Sequence, residues 1–240
     1  MELQLTKEEE AFRDEARTWL EEQLSGPFKD LRGRGASGDQ DSYVEERIAW
    51  GKVMGAAGWN CIGWPKEFGG RGCSIKEEAI FNEEYVRANG PGNVGHIGET
   101  LLGPTLIHFG TAEQQRRFLP PIVAGDEIWC QGYSEPGAGS DLANVQTKAT
   151  LVGDEWIIDG QKIWTSGAQY SDWCFVMCRT DPDAPKHRGI SYILVPMKQE
   201  GIEIRPIRQM GGSAEFAEVF YDGAKARKDH VVGGVNNGWK

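Results

Sequence analysis

The chain holds 240 residues, 39% hydrophobic and 26% charged, enough for one large domain or two ordinary ones without disulfide support. With 36 acidic and 26 basic residues the formal net charge is −10, which offers no global basic surface for a nucleic acid backbone. No apolar run reaches 18 residues, which excludes a helical membrane span, and the 32 glycines, about 13% against a usual 7%, indicate many tight turns.

The charge is unevenly spread: residues 1–130 carry 22 acids and 14 bases, and residues 131–240 carry 14 and 12. The acidic start MELQLTKEEE lacks a secretion signal, and the five cysteines and four histidines have no zinc spacing, so a reduced, cytoplasmic setting without a metal site is expected.

Through about residue 125 the punctuation is helical. Thr6 with Glu9, Ser42 with Glu45, Ser74 with Glu77, and Thr111 with Gln114 each have the spacing of a capping box. The first opens a stripe of Phe12, Ala16, Trp19 and Leu20 that ends at Gly26-Pro27, and residues 31–41 read as a flexible loop. Beyond residue 126 the pattern changes to period two. ATLVGDEWII carries a Gly153-Asp154 hairpin signal, and further strands are expected at 172–180, 189–196, 201–207 and 217–223. The expected architecture is α+β: an all-helical unit over 1–125, then an antiparallel β-barrel or sandwich over 126–235, with 236–240 opening a further segment. Cys174 and Cys178 share a strand face with Val176 and read as buried small hydrophobes.

Two stretches could carry chemistry. In QGYSEPGAGSDLA (131–143) the small residues Gly137, Ala138 and Gly139 lie between hydroxyl and carboxylate side chains, so backbone amides are free to point at an anion, with Ser134 and Ser140 adding hydroxyls. A solvated turn has the same composition. In DGQKIWTSGAQ (159–169), Trp164 precedes Thr165 and Ser166 and offers a flat face and two hydroxyls to a planar ring such as a flavin. An indole at a strand end is more often core. There is no Rossmann or Walker loop and no G-x-S-x-G elbow.

SEPGAGSD (134–141) followed by KIWTS (162–166) resembles the acyl-CoA dehydrogenase family of flavoenzymes, and the likeness extends to AAGW, WPKEFGGRG, GTAEQQRRFLPPI and IRQMGGSAEFAEVFYDGA. The resemblance implies FAD held between subunits of a homo- or hetero-oligomer, α,β-dehydrogenation of an acyl-CoA, and an electron-transfer flavoprotein as acceptor. It implies a flavin lining from Gln131, Gly132, Tyr133, Ser134, Gly139 and Ser140, with Ser140 also near the substrate. It further places Trp164 against the flavin, Ser166 beside flavin N5, and Thr165 between them. Gln131, Gly132 and KARKD (225–229) depart from the family pattern.

The family's proton-abstracting Glu comes from a third, helical domain, so no catalytic residue is expected in 1–240, Glu135 included, and these residues alone are expected to bind FAD weakly and to be inactive. A noncatalytic subunit or module of a hetero-oligomer, or a flavin oxidase on the same scaffold, are the alternative readings.

Overall fold

A computed structural model describes residues 4–239; Met1 to Leu3 of the acidic start, and Lys240, lie outside the described residues. The chain divides into two compact units, one of residues 1–94 with 123–125, the other of 95–122 with 126–240. The helices of 95–122 thus belong to the compact unit that contains the sheet.

The first unit is built on α1 (Lys7–Ser25), α2 (Val44–Ala56) and α3 (Ile75–Arg87). Reciprocal capping boxes start α1 at Thr6 with Glu9 and α3 at Ser74 with Glu77. The Ser42 box does not form. The Ser42 hydroxyl donates to the Asp39 carbonyl, and α2 begins instead after Tyr43, whose φ of 53° is left-handed. The loop before it closes around buried Arg47, which donates to the carbonyls of Gln40, Ser42 and Gly92. Gly35 stands at φ +73°, where a Cβ would lie 2.1 Å from the Arg47 guanidinium carbon, so this turn requires glycine. Ala16, Leu20 and Leu24 of α1 meet Trp50, Trp59 and Phe81 in the core, with Trp59 stacked on Phe81 at 5.1 Å.

The second unit begins with a helix at residues 96–109, α-helical as α4 over Gly103–Phe109 after a π turn at Gly98–Leu102. Pro104 lacks the N–H that would close an α turn onto Thr100, and its ring crowds that carbonyl. The wider π turn relieves both, and the Thr100 and Thr105 hydroxyls bond back to the carbonyls of His96 and Leu101. α5 (Ala112–Ala124) follows, opened by the reciprocal bonds of Thr111 and Gln114.

The sheet comprises β1 (Trp129–Gly132), β2 (Lys148–Val152), β3 (Glu155–Ser166), β4 (Trp173–Arg179), β5 (Ile190–Pro196), β6 (Ile202–Ile207), β7 (Phe216–Arg227) and β8 (Val231–Val232). Its order is β6-β7-β3-β2-β4-β5-β8, with β1 on β4. The fold is therefore a helical N-terminal part followed by a largely antiparallel β part. Two pairings run parallel, β1 with β4 and β2 with β4, where a wholly antiparallel sheet was expected. Gly153 and Asp154 make the β2–β3 turn. Cys174, Val176 and Cys178 are fully buried in the sheet core with Ile158, Ile193 and Val219.

Candidate functional site

The site grows out of the way β1 and β2 share one edge of β4. β1 pairs with Trp173 to Val176 and ends at Gly132, while β2 rejoins the edge at Lys148 opposite Arg179. The intervening residues leave the sheet as a loop, and its two limbs are pinned by cations. On the ascending limb, Lys162 Nζ of β3 donates to the Tyr133 carbonyl at 3.0 Å, to Glu135 Oε1 at 2.8 Å and to the Met177 carbonyl at 2.8 Å. On the descending limb, the Arg179 guanidinium donates to the carbonyls of Ala143 and Val145 at 2.6 and 3.4 Å. Lys162 is fully buried, and Glu135 is buried too.

Glu135 also accepts from the amides of Gln146 and Thr147 at 2.7 and 2.9 Å. Burial pushes its carboxyl upward, but the Lys162 charge and the hydrogen bonds outweigh burial and hold it below the ordinary carboxylate value. A carboxylate with these partners ties the two limbs of the loop together as an anion.

Between the pinned limbs the tip is open. A Cβ on Gly137 or Gly139 would meet nothing within 4 Å, and Ser140 and Asp141 are exposed. Among the described residues, the amides of Gly137, Gly139, Ser140 and Asp141 donate to no protein acceptor, and the hydroxyls of Ser134, Ser140 and Ser166 have no hydrogen-bond partner. Such a cradle of unpaired amides and hydroxyls fits the phosphates and polar ring edge of a dinucleotide cofactor such as FAD.

The second motif lies beside the first. Ile163 N donates to the Ser134 carbonyl at 2.9 Å, and the β3–β7 register breaks between Lys162 and Thr165. In that bulge Trp164 takes φ 62° and leaves its indole 57% exposed, edge-on to Phe216 at 6.0 Å. The usual core role of a strand-end indole is thereby overturned: the bulge turns this one out of the sheet. Ser166 is half-buried, whereas Thr165 is fully buried and its hydroxyl is unpartnered, so Thr165 presents backbone rather than side chain.

Gln131 and Tyr133 are half-buried and Gly132 is buried. A Cβ at Gly132 would lie 3.0 Å from Cys174 Sγ and 3.3 Å from Val176 Cγ2, which accounts for a glycine there. The Tyr133 ring helps line a cavity of about 110 Å³ with Thr105, Phe109, Tyr192 and Val232.

Lys162 and Arg179 were not singled out from sequence. Lys162 nevertheless follows Trp156 and Ile158 at period two on the buried face of β3, and a lysine in that phase is the signal that would have found it.

The chain matches the family models "Acyl-CoA dehydrogenase, N-terminal domain" over residues 6–126 and "Acyl-CoA dehydrogenase, middle domain" over residues 130–224. It is 55% identical to acyl-CoA dehydrogenase IpdE1 of Mycobacterium tuberculosis, over 96% of this chain and 60% of that protein. To IpdE1 of Mycolicibacterium smegmatis it is 52% identical, over 97% of this chain and 62% of that one. Among solved structures it superposes on the Tcur3481-Tcur3483 steroid ACAD with a TM-score of 0.85 at 40% identity, covering all of this chain and 60% of the other. The ChsE4-ChsE5 complex from Mycobacterium tuberculosis gives a TM-score of 0.83 at 38% identity, covering all of this chain and 59% of the other. The chain thus spans about 60% of the length of these relatives. The two motifs meet through the Ile163–Ser134 bond and the two family models cover residues 6–126 and 130–224, so the chain belongs to the acyl-CoA dehydrogenase family.

Proposed function

We propose that the protein is an FAD-dependent acyl-CoA dehydrogenase that removes hydrogens from the α and β carbons of an acyl-CoA thioester. The observation that carries this reading is the open tip of residues 137–141 with its four unpaired amides, in a loop bonded at Ser134 to Ile163, next in sequence to an indole held out of its strand. When bound there, FAD would supply the hydride acceptor. Gln131 to Ser134 would border its polar edge, the amides from Gly137 to Asp141 would face its phosphates, and Trp164 and Ser166 would flank the ring, with Thr165 contributing backbone. Ser140, exposed at the tip, would also meet the acyl-CoA.

Glu135 is held by Lys162 and two amides, so the carboxylate that takes the α proton is proposed to come from outside these residues, and residues 1–240 alone are proposed to be inactive. A steroid-derived acyl group is the favoured substrate class, because a solved relative at 40% identity is titled a steroid ACAD. An electron-transfer flavoprotein is the proposed electron acceptor, and a domain division at 1–125 and 126–235 is proposed with it.

A second reading, a noncatalytic subunit working inside a hetero-oligomer, is supported by the two-protein titles of those solved relatives. One experiment separates the two. The protein expressed from its gene, with its neighbouring dehydrogenase subunits, is loaded with FAD and titrated anaerobically with acyl-CoA thioesters. Bleaching of oxidised flavin that requires this subunit's own flavin loop supports the enzyme. Bleaching that survives G139W in this subunit favours the noncatalytic role.

A further inference from the structure

The edge of β4 has a gap. β1 stops at Gly132, opposite Val176, and β2 resumes at Lys148, opposite Arg179, and the Arg179 amide on that edge is taken by the Thr147 carbonyl. The Met177 carbonyl, two residues before it and on the same edge, has no strand to pair with. A buried carbonyl left in that condition destabilises the fold. Lys162 Nζ fills the place, reaching across from β3 to bond Met177, and its two remaining protons go to the Tyr133 carbonyl and Glu135 Oε1. All three ammonium donors are used, inside a side chain with no exposed surface. Glu135 in turn ties the loop's return limb through the Gln146 and Thr147 amides. The next residue on β3, Ile163, fixes the Ser134 carbonyl, and the one after it is Trp164 at φ 62°.

From this geometry we infer that Lys162 is a positioning residue: it stands in for the missing strand at the gap and, through Glu135, sets the loop of residues 133–147 and the Trp164 bulge in register before any cofactor arrives. The inference rests on the proposed flavin site for its consequence, but the clamp itself is a property of the protein alone. Lys162 touches neither the open tip nor the exposed indole face, so its effect on the cofactor is exerted through the loop.

The test uses K162M, which keeps the stem and removes the donors, E135Q, which keeps the shape and removes the charge, and the double variant, all in the protein expressed from its gene. The flavin-free readout is hydrogen exchange at single amides. Those of Gln146, Thr147 and Ile163, whose acceptors are the Glu135 carboxylate and the Ser134 carbonyl, are expected to lose protection in K162M while β4–β5 amides keep theirs. FAD titration by fluorescence is expected to weaken by roughly tenfold or more, the equivalent of one lost charge-assisted hydrogen bond. The double variant, which leaves no unpaired buried charge, is expected to recover part of that loss.

Unchanged protection of the three amides in K162M and E135Q would overturn the inference, as would a loss of protection spread evenly over the whole sheet in both. If the wild-type protein takes up no FAD, the proposed function fails while the amide exchange still decides the clamp.

Discussion

At the scale of single residues, Trp164 is the position where local energetics and function pull apart. A β-propensive indole at φ 62° occupies a region that costs a non-glycine residue roughly 1–2 kcal/mol, and with 57% of its surface exposed burial returns little of that cost. The one ring contact, to Phe216, is worth about 0.5–1.5 kcal/mol. Strain of this kind persists where a site requires it. W164G is therefore expected to leave the thermal midpoint of the flavin-free protein equal to or above that of wild type while weakening FAD binding. A midpoint lowered by several degrees would mean that the indole is core after all. Lys162 teaches the converse lesson about legibility. A lysine in a strand reads as surface, and only its period-two phase with Trp156 and Ile158 marks it as buried. Its partners, the carbonyls of Tyr133 and Met177, are backbone groups that composition never names.

At the scale of elements, the pairing of α1 with α3 shows how the helices use charge beside their apolar contacts. Arg17 donates to both oxygens of Glu84 at 2.8 and 2.9 Å, and Glu84 is only 3% exposed. The Arg17 hydrogen bonds hold the Glu84 carboxyl below its ordinary value near 4.5. Stability from such a lowered carboxyl is fully present above the unfolded value and is lost as pH falls through the folded one. E84Q is accordingly expected to cost about 1–3 kcal/mol at pH 7 and progressively less as pH drops below 4.5, measured by thermal melts across that range. A cost independent of pH would contradict the account.

Element identity was largely legible. Three of the four expected capping boxes form, at Thr6, Ser74 and Thr111, and the hairpin at Gly153-Asp154 lies between β2 and β3. What escaped was set by distant contacts. Ser42 is diverted to the Asp39 carbonyl, the π turn answers to Pro104 within a continuous helix, and the parallel β1–β4 pairing joins residues 44 apart in sequence, as in Trp129 with Trp173.

At the scale of the whole chain, the sheet's interrupted edge is what turns a run of glycines into a site. The 32 glycines of the sequence include ones that turns demand, such as Gly35 at φ +73°, and ones at the loop tip, Gly137 and Gly139, whose surroundings are open. Two cations pin the limbs, the tip keeps its amides free, and the bulge of β3 turns an indole outward one residue beyond Ile163. The two motifs were visible as sequence, and their adjacency through Ser134 and Ile163 is what the fold adds. Among the described residues no helix is long and apolar enough to cross a membrane, and no cluster of three or more His, Cys, Asp or Glu could hold a metal ion.

The most direct test of the proposed cofactor site is an exchange footprint of FAD on the protein expressed from its gene, read amide by amide. The amides of Gly137, Gly139, Ser140 and Asp141, unpaired in the protein itself, are expected to exchange fast without FAD and to become protected when it is added. Saturating FAD that leaves these four amides as fast as before, or that protects a different segment instead, would contradict the proposal.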